Sequence, residues 1–306
     1  MGKISSSVLD FVRAYVPEED IWPDEPMWKH TTFRTGGNAG CLLRVSAPQQ
    51  LCALLPGLRK RQVPFFILGN GSNLLVGDKG YPGVMLQIGS RMSALTVEGS
   101  CIRAQAGALL SRIAKCAQEN GLTGFEFASG IPGALGGAIV MNAGAYGGEM
   151  KQVIRQVTVM DGEGTISVLE NEAMEFGYRT SIVKKRPLTV LEAVIGLSSG
   201  DKEAILKQME ELAAKRMQKQ PLEYPSAGST FKRPEGFFAG KLIMEAGLSG
   251  YSVGGARVSE KHCGFVVNTG GASSADVLAV IREVQKRVKE NTGISLETEV
   301  ILLGDF

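Results

Sequence analysis

The run Gly130-Ile131-Pro132-Gly133-Ala134-Leu135-Gly136-Gly137-Ala138-Ile139-Val140-Met141-Asn142-Ala143-Gly144-Ala145-Tyr146-Gly147-Gly148 decides how this chain is read. Seven Gly and four Ala among those 19 residues leave almost no side chain from which to build a core. Backbone so bare either turns a structural corner or packs against a flat or anionic body that supplies the missing volume. A planar ring system with a diphosphate tail is such a body. Neither standard nucleotide fingerprint is present: there is no G-x-G-x-x-G, and Gly240-Lys241 lacks both the correctly spaced first Gly and the Ser/Thr of a P-loop. A dinucleotide here is therefore held in a non-Rossmann way.

A second glycine cluster lies upstream. Gly69-Asn70-Gly71-Ser72-Asn73 directly follows the apolar run Phe65 to Leu68, which reads as a buried strand. Small residues in succession let backbone N–H groups converge on one centre, an anion nest, with Ser72 and the two Asn adding donors. The same cluster also reads as a tight turn that binds nothing. Strands are expected at Leu74 to Val76, Val84 to Ile88 and Leu188 to Leu197. Hairpins are expected around Glu98-Gly99-Ser100 and Asp161-Gly162-Glu163-Gly164. Helices are expected at 5–16, at Gln49 to Gln62 with a break or kink at Pro56, and at Leu109 to Asn120 with Gly121 as its stop. Pro17, Pro23 and Pro26 mark an extended wrap rather than an element. Asp201 to Lys219 reads as a helix leading into a C-terminal unit. That unit carries a strand at Gly264 to Asn268, a helix at Ser274 to Asn291 and a final strand at Ile294 to Leu303.

Composition bounds the rest. At 306 residues and 44% hydrophobic, the chain has material for two or three cores and is not disordered. The 39 Gly stand well above an average of about 7%. Lys and Arg number 33 against 31 Asp and Glu, with no basic run and no aromatic-basic interleaving, so no nucleic-acid partner is expected. Five scattered Cys without C-x-x-C give neither a disulfide framework nor a zinc site; they read as small buried hydrophobes, and no metal is expected. Charged residues from Asp10 to Asp20 interrupt any signal-peptide core, and no apolar stretch is long enough to span a bilayer. A cytoplasmic protein without membrane contact is expected.

Three residues outside the glycine clusters have chemistry to offer. Arg179, in Tyr178-Arg179-Thr180-Ser181, could hold a carboxylate bidentately or be an ordinary loop cation. Ser229 follows Gly228 but is not in a nucleophile elbow, and only His30 and His262 exist to activate it, which argues against a Ser-His hydrolase. It can instead serve as a proton donor, with Lys232 a candidate to steady the resulting alkoxide. Glu299 lies in a segment whose alternation places it on one face with Glu297: a solvated edge or an active-site acid. Arg216 and Lys219, near the end of the Asp201 to Lys219 helix, are candidate diphosphate contacts or cations satisfying the helix C-terminus.

Taken in order, these segments resemble one family, the UDP-N-acetylenolpyruvoylglucosamine reductases (MurB) of bacterial peptidoglycan synthesis. The resemblance rests on Thr32 to Ala39, Leu68 to Val76, Gly130 to Gly147, Tyr178-Arg179 and Pro225 to Lys232. It continues through Ala239 to Ile243, Gly254-Gly255-Ala256, Ser259 to His262 and Leu296 to Val300. The spacing of 50 positions between Arg179 and Ser229 resembles the shorter subclass, which lacks a tyrosine-bearing loop over the substrate. Arg233 stands where some relatives carry Asn.

The resemblance implies an α+β fold. It joins a two-part FAD-binding domain of the vanillyl-alcohol-oxidase (PCMH) type to a C-terminal α/β substrate-binding domain. The expected divisions are 1–33 (helix and wrap), 34–199 (flavin domain, parts 34–90 and 91–199) and 200–306, with the last strand able to return to the flavin domain. It implies non-covalent FAD contacts at Gly69, Asn70, Gly71, Ser72, Asn73, Gly130, Ile131, Pro132, Gly133, Gly136, Gly137, Asn142, Ala143 and Gly144. Substrate contacts are implied at Tyr146, Arg216, Lys219 and Lys232, and catalytic roles for Arg179, Ser229 and Glu299. The implied reaction is NADPH-dependent reduction of UDP-N-acetylglucosamine-enolpyruvate by a monomeric enzyme serving cell-wall synthesis, cell shape and division. A flavin oxidase of the same fold and a non-enzymatic nucleotide-sugar-binding module are the alternatives.

Overall fold

The computed structural model describes residues 4–306. A helix at Ser6–Arg13 buries Val8 and Val12, and the ring of Phe11 covers Gly57, where any Cβ would collide with it. The proline-rich stretch is not a loose wrap. After one 3-10 turn, Ile21–Pro26 is a strand, antiparallel to Asn38–Val45. It lies at the edge of its sheet, so Pro23 and Pro26 cost no interior ladder bond. Asn38–Val45, Tyr81–Ile88 and Phe65–Leu68 continue that sheet in parallel. The helix Pro48–Lys60 runs through Pro56 without a break. Gly164 of the neighbouring hairpin lies against the Cys52 carbonyl, which Pro56 leaves without its helical donor.

A five-stranded antiparallel sheet follows, in the order Ile166–Glu170, Ile154–Met160, Thr189–Gly196, Cys101–Gln105, Leu95–Glu98. The helices Leu110–Glu119 and Leu135–Val140 pack on it, and Leu110, Ile113, Leu135 and Ile139 are buried there. Gly121 ends the first of these helices at φ +65°, as its position requires. Asp201 caps the helix Lys202–Lys219 by accepting from the Ala204 N–H at 2.9 Å.

Beyond it, a small antiparallel sheet of Ser252–Val253, Ala256–Val258 and Val266–Asn268 packs under Ala239–Glu245 and the long helix Ser274–Thr292. Ser273 and Asp276 form a capping box at the start of that helix, and Gly293 ends it at φ +74°. Phe33 and Leu75, far upstream in the chain, are fully buried in this C-terminal core.

The expected ten-residue final strand is not formed. Two different partners divide the segment: Thr298 bridges to Phe231, and only Ile301–Leu303 forms a strand, parallel to Leu74–Val76. The chain end thereby returns to the glycine cluster at 69–73. Asp78 makes a further tie, accepting from the Ser274 and Ala275 N–H groups at 2.8 Å each. Asn268 donates to the Phe33 carbonyl at 3.0 Å. The cysteines are all free, and Cys41 and Cys263 are buried.

Candidate active site

The site is built around a fully buried threonine. Thr230 donates its N–H to the Gly264 carbonyl at 2.8 Å and accepts from Val266 N–H through its hydroxyl at 3.0 Å. Its carbonyl accepts the Glu299 N–H at 2.9 Å. Thr230 thus pins Ser229 beside Glu299. Gly228 at φ +74° supplies the turn that precedes Ser229. Among the described residues, no group is hydrogen-bonded to the Ser229 hydroxyl, which lines a cleft of about 450 Å3 together with Arg179 and Glu299.

Arg179 reaches that cleft from a two-residue turn, closed by reciprocal backbone bonds between Gly177 and Thr180. Its φ of +54° is a left-handed conformation seldom adopted by a side-chain-bearing residue. Behind it sits Asn142, 1% exposed and itself at φ +43°. Its amide donates to the Gly177 carbonyl and to Glu149, and accepts from Lys151 N–H. Asn142 therefore spends its side chain on the turn that carries Arg179. The guanidinium donates through Nε to Glu299 Oε1 at 2.8 Å and through Nη2 to the Gly144 carbonyl at 3.4 Å.

Two influences oppose each other at Glu299. Burial raises its pKa above the usual carboxylate range; Arg179, then Lys184 and Lys232, pull it down, and burial prevails. Oε1 accepts from Arg179, while Oε2 receives no donor from the described residues and is the oxygen free to carry a proton. Glu297, its expected face-mate, is exposed and ion-paired with Lys232 at 2.7 Å. The solvated reading of that face fits Glu297, and Glu299 is the carboxylate that lines the cleft.

The glycine clusters meet next to this cleft. The Asn70 amide donates to the Pro132 carbonyl at 3.0 Å, and a Cβ on Gly133 would lie 3.7 Å from the Ser72 hydroxyl. Asn73 brackets the segment that carries Glu299: its amide donates to the Glu299 carbonyl at 3.1 Å, and its carbonyl accepts the Ile301 N–H at 3.0 Å. Gly71 is left-handed at φ +61°, and a Cβ there would fall on the His30 carbonyl.

Among the described residues, the N–H groups of Asn70, Gly71, Ser72 and Asn73 donate to no protein acceptor. Four such donors in one turn suit a diphosphate. In the facing tract, a Cβ on Gly137 or Gly147 would meet nothing within 4 Å, which leaves bare backbone for a flat ring. The donors and the bare surface together fit FAD.

Other expected residues are spread more widely. Arg216 is half-buried against Gly130, where burial lowers its pKa and Tyr146 raises it, so it faces the glycine tract. Tyr146 is exposed at φ +53°, and Lys219 is exposed at the end of its helix. Lys232 is committed to Glu297 and does not line the cleft. Ala143 uses its backbone to tie Ala138 to Met150. The cleft adds groups to which sequence reading gave no role: Tyr178, Lys241 and His262. Burial pushes the His262 pKa down, and its Nδ1 accepts the Gly264 N–H at 3.1 Å. Tyr178, Thr230, Lys241 and His262 all stood inside quoted motifs, but nothing local assigned Thr230 its task, because a Thr in sequence reveals nothing of its distant backbone partners.

No group of three or more His, Cys, Asp or Glu among the described residues is placed to hold a metal, and none of their helices is long and apolar enough to cross a membrane. Residues 220–303 match the family of the UDP-N-acetylenolpyruvoylglucosamine reductase C-terminal domain, and 39–170 match an FAD binding domain family. A UDP-N-acetylenolpyruvoylglucosamine reductase of Clostridium perfringens (strain SM101 / Type A) is 54% identical over 287 residues, covering 94% of each chain. One from Caldanaerobacter subterraneus subsp. tengcongensis is 52% identical over 298 residues, covering 97% of this chain and 98% of that protein. The crystal structure of the Thermus caldophilus reductase (MurB) is similar with a TM-score of 0.79 at 36% identity, over 93% of this chain and 98% of that one.

Proposed function

The chain belongs to the UDP-N-acetylenolpyruvoylglucosamine reductases, and from that premise we propose that Arg179, Ser229 and Glu299 carry the reaction. The enzyme is an oxidoreductase with FAD as cofactor and NADPH as co-substrate; it reduces UDP-N-acetylglucosamine-enolpyruvate in peptidoglycan precursor synthesis. The oxidase and the non-enzymatic binding module give way to this membership. When bound, FAD supplies the hydride, drawn from NADPH, that saturates the enolpyruvyl double bond.

The chain's own residues do the rest. Arg179 holds the substrate carboxylate and offsets the negative charge that builds on it. Glu299, protonated on Oε2, supports the same charge without repelling it. Ser229 delivers its hydroxyl proton to the α-carbon as general acid. The loop Gly69 to Asn73 holds the flavin diphosphate, and the tract through Gly130, Ile131, Pro132, Gly133, Gly136, Gly137 and Gly144 backs the ring, with Asn142 and Ala143 behind it. Tyr146, Arg216 and Lys219 take the substrate diphosphate, and Lys232 acts on the site's field from its pair with Glu297.

We assign residues 34–199 to the flavin and 200–306 to the substrate, in a cytoplasmic monomer whose product serves cell shape and division. The observation that supports the catalytic assignment is the single cleft holding Arg179, Ser229 and Glu299, three groups brought from distant parts of the chain. Stopped-flow spectra of Ser229→Ala test it. NADPH bleaches the flavin band at the wild-type rate, and return of the band on adding the enolpyruvyl sugar nucleotide slows about 10³-fold. Equal slowing of both half-reactions removes Ser229 from the role.

A further inference from the structure

We infer that Tyr178 is a positioning residue for the reduction. Its phenol hydroxyl ties the turn that carries Arg179 to the segment that carries Ser229, and so sets the spacing between the carboxylate-holding group and the proton donor. Tyr178 and Arg179 are the two tip residues of the turn, whose closing bonds between Gly177 and Thr180 measure 3.1 and 3.3 Å. Neither bond anchors the tip to anything outside the turn. Across the cleft, the Arg233 N–H donates to the Tyr178 hydroxyl at 3.0 Å, joining positions 55 residues apart. Arg233 is four residues beyond Ser229, in the segment that Thr230 pins.

Fold stability offers no reason for a tyrosine there. Tyr178 is 53% exposed and belongs to none of the buried clusters. The tip itself does need an external hold: Arg179 at φ +54° is strained, and strained backbone persists only where its surroundings over-determine it. Asn142 secures the base of the turn through Gly177, Glu299 holds the guanidinium, and Tyr178 supplies the third point. The Arg179 guanidinium also lies 5.2 Å from the centre of the Tyr178 ring, which walls it on one side.

This inference rests on the roles given above to Arg179 and Ser229, and its test fails separately from theirs. Tyr178→Phe keeps the ring and removes the tether. Flavin reoxidation at saturating enolpyruvyl sugar nucleotide slows about tenfold, the loss of one hydrogen bond's worth of alignment. KM stays within about twofold, and NADPH-driven bleaching and the thermal midpoint are unchanged. In an Arg179→Lys background, where the aligned group is already replaced, the same change slows reoxidation by less than about twofold. Unchanged reoxidation in Tyr178→Phe, equal slowing of both half-reactions, a lowered thermal midpoint, or a full tenfold effect persisting beside Arg179→Lys each overturns the role. A Ser229→Ala enzyme that fails to separate the half-reactions overturns the underlying assignment instead.

Discussion

Glu299, the proposed catalytic acid, shows how little of a side chain's surroundings is written in its own letter. Alternation put it on a face with Glu297, yet one carboxylate is solvated and the other is half-buried against a guanidinium. The difference comes from Thr230 and Asn73, which clamp the backbone of residue 299 from two sides. Neither partner is near it in sequence, so the pattern could not show which of the two carboxylates enters the cleft. The consequence appears in the pH profile. With its pKa raised by burial, Glu299 keeps its proton to higher pH than an ordinary carboxyl. Substrate reduction is therefore full below that raised pKa and declines as pH rises through it. In Glu299→Gln, single-turnover reoxidation is slower than the parent's below that pKa, and this alkaline limb is absent.

At the scale of elements, the glycine tract was read from what it lacks. The helix Leu135–Val140 contains Gly136 and Gly137 in its first turns, where Ala would favour helix formation. At Gly137 nothing in the protein stands in the way of a Cβ. Gly137→Ala thus separates two effects of opposite sign. The apoprotein gains about 0.5–1 kcal/mol of stability in a denaturant titration. FAD affinity, followed by flavin fluorescence quenching, falls at least tenfold, because the new methyl group occupies the surface reserved for the ring. Loss of apoprotein stability, or undiminished affinity, would count against the cradle. Elements held by local pattern were legible: the amphipathic helices, the two hairpins and the glycine stops. The edge strand Ile21–Pro26 was not, since its prolines argue against a strand and only its place at the rim of a sheet makes them harmless.

The whole molecule is held by a few long-range ties that no local signal announces. Asp78 caps the helix Ser274–Thr292 across 196 positions, and Phe33 and Leu75 are sealed into a core otherwise built from residues 227–300. A carboxylate accepting two N–H groups at a helix N-terminus is worth about 1.5–3 kcal/mol. Asp78→Ala lowers the unfolding free energy by that amount in a urea titration, with NADPH-driven bleaching retained in the enzyme that remains folded. A variant as stable as the parent would show that the buried core, and not this cap, joins the two parts.

The clasp of Asn73 on Glu299 spans 226 positions, so the loop at 69–73 and the segment that meets it leave the ribosome far apart in time. At about 5–20 residues per second, the early loop waits on the order of 10 to 45 s for its partner. During that interval the upstream sheets can fold, but Leu74–Val76 has an unpaired edge open to any passing strand. Only the segment Ile301–Leu303 closes that edge, and it brings Glu299 into place in the same movement. Newly made chains therefore position the proposed catalytic carboxyl and cover this open edge together.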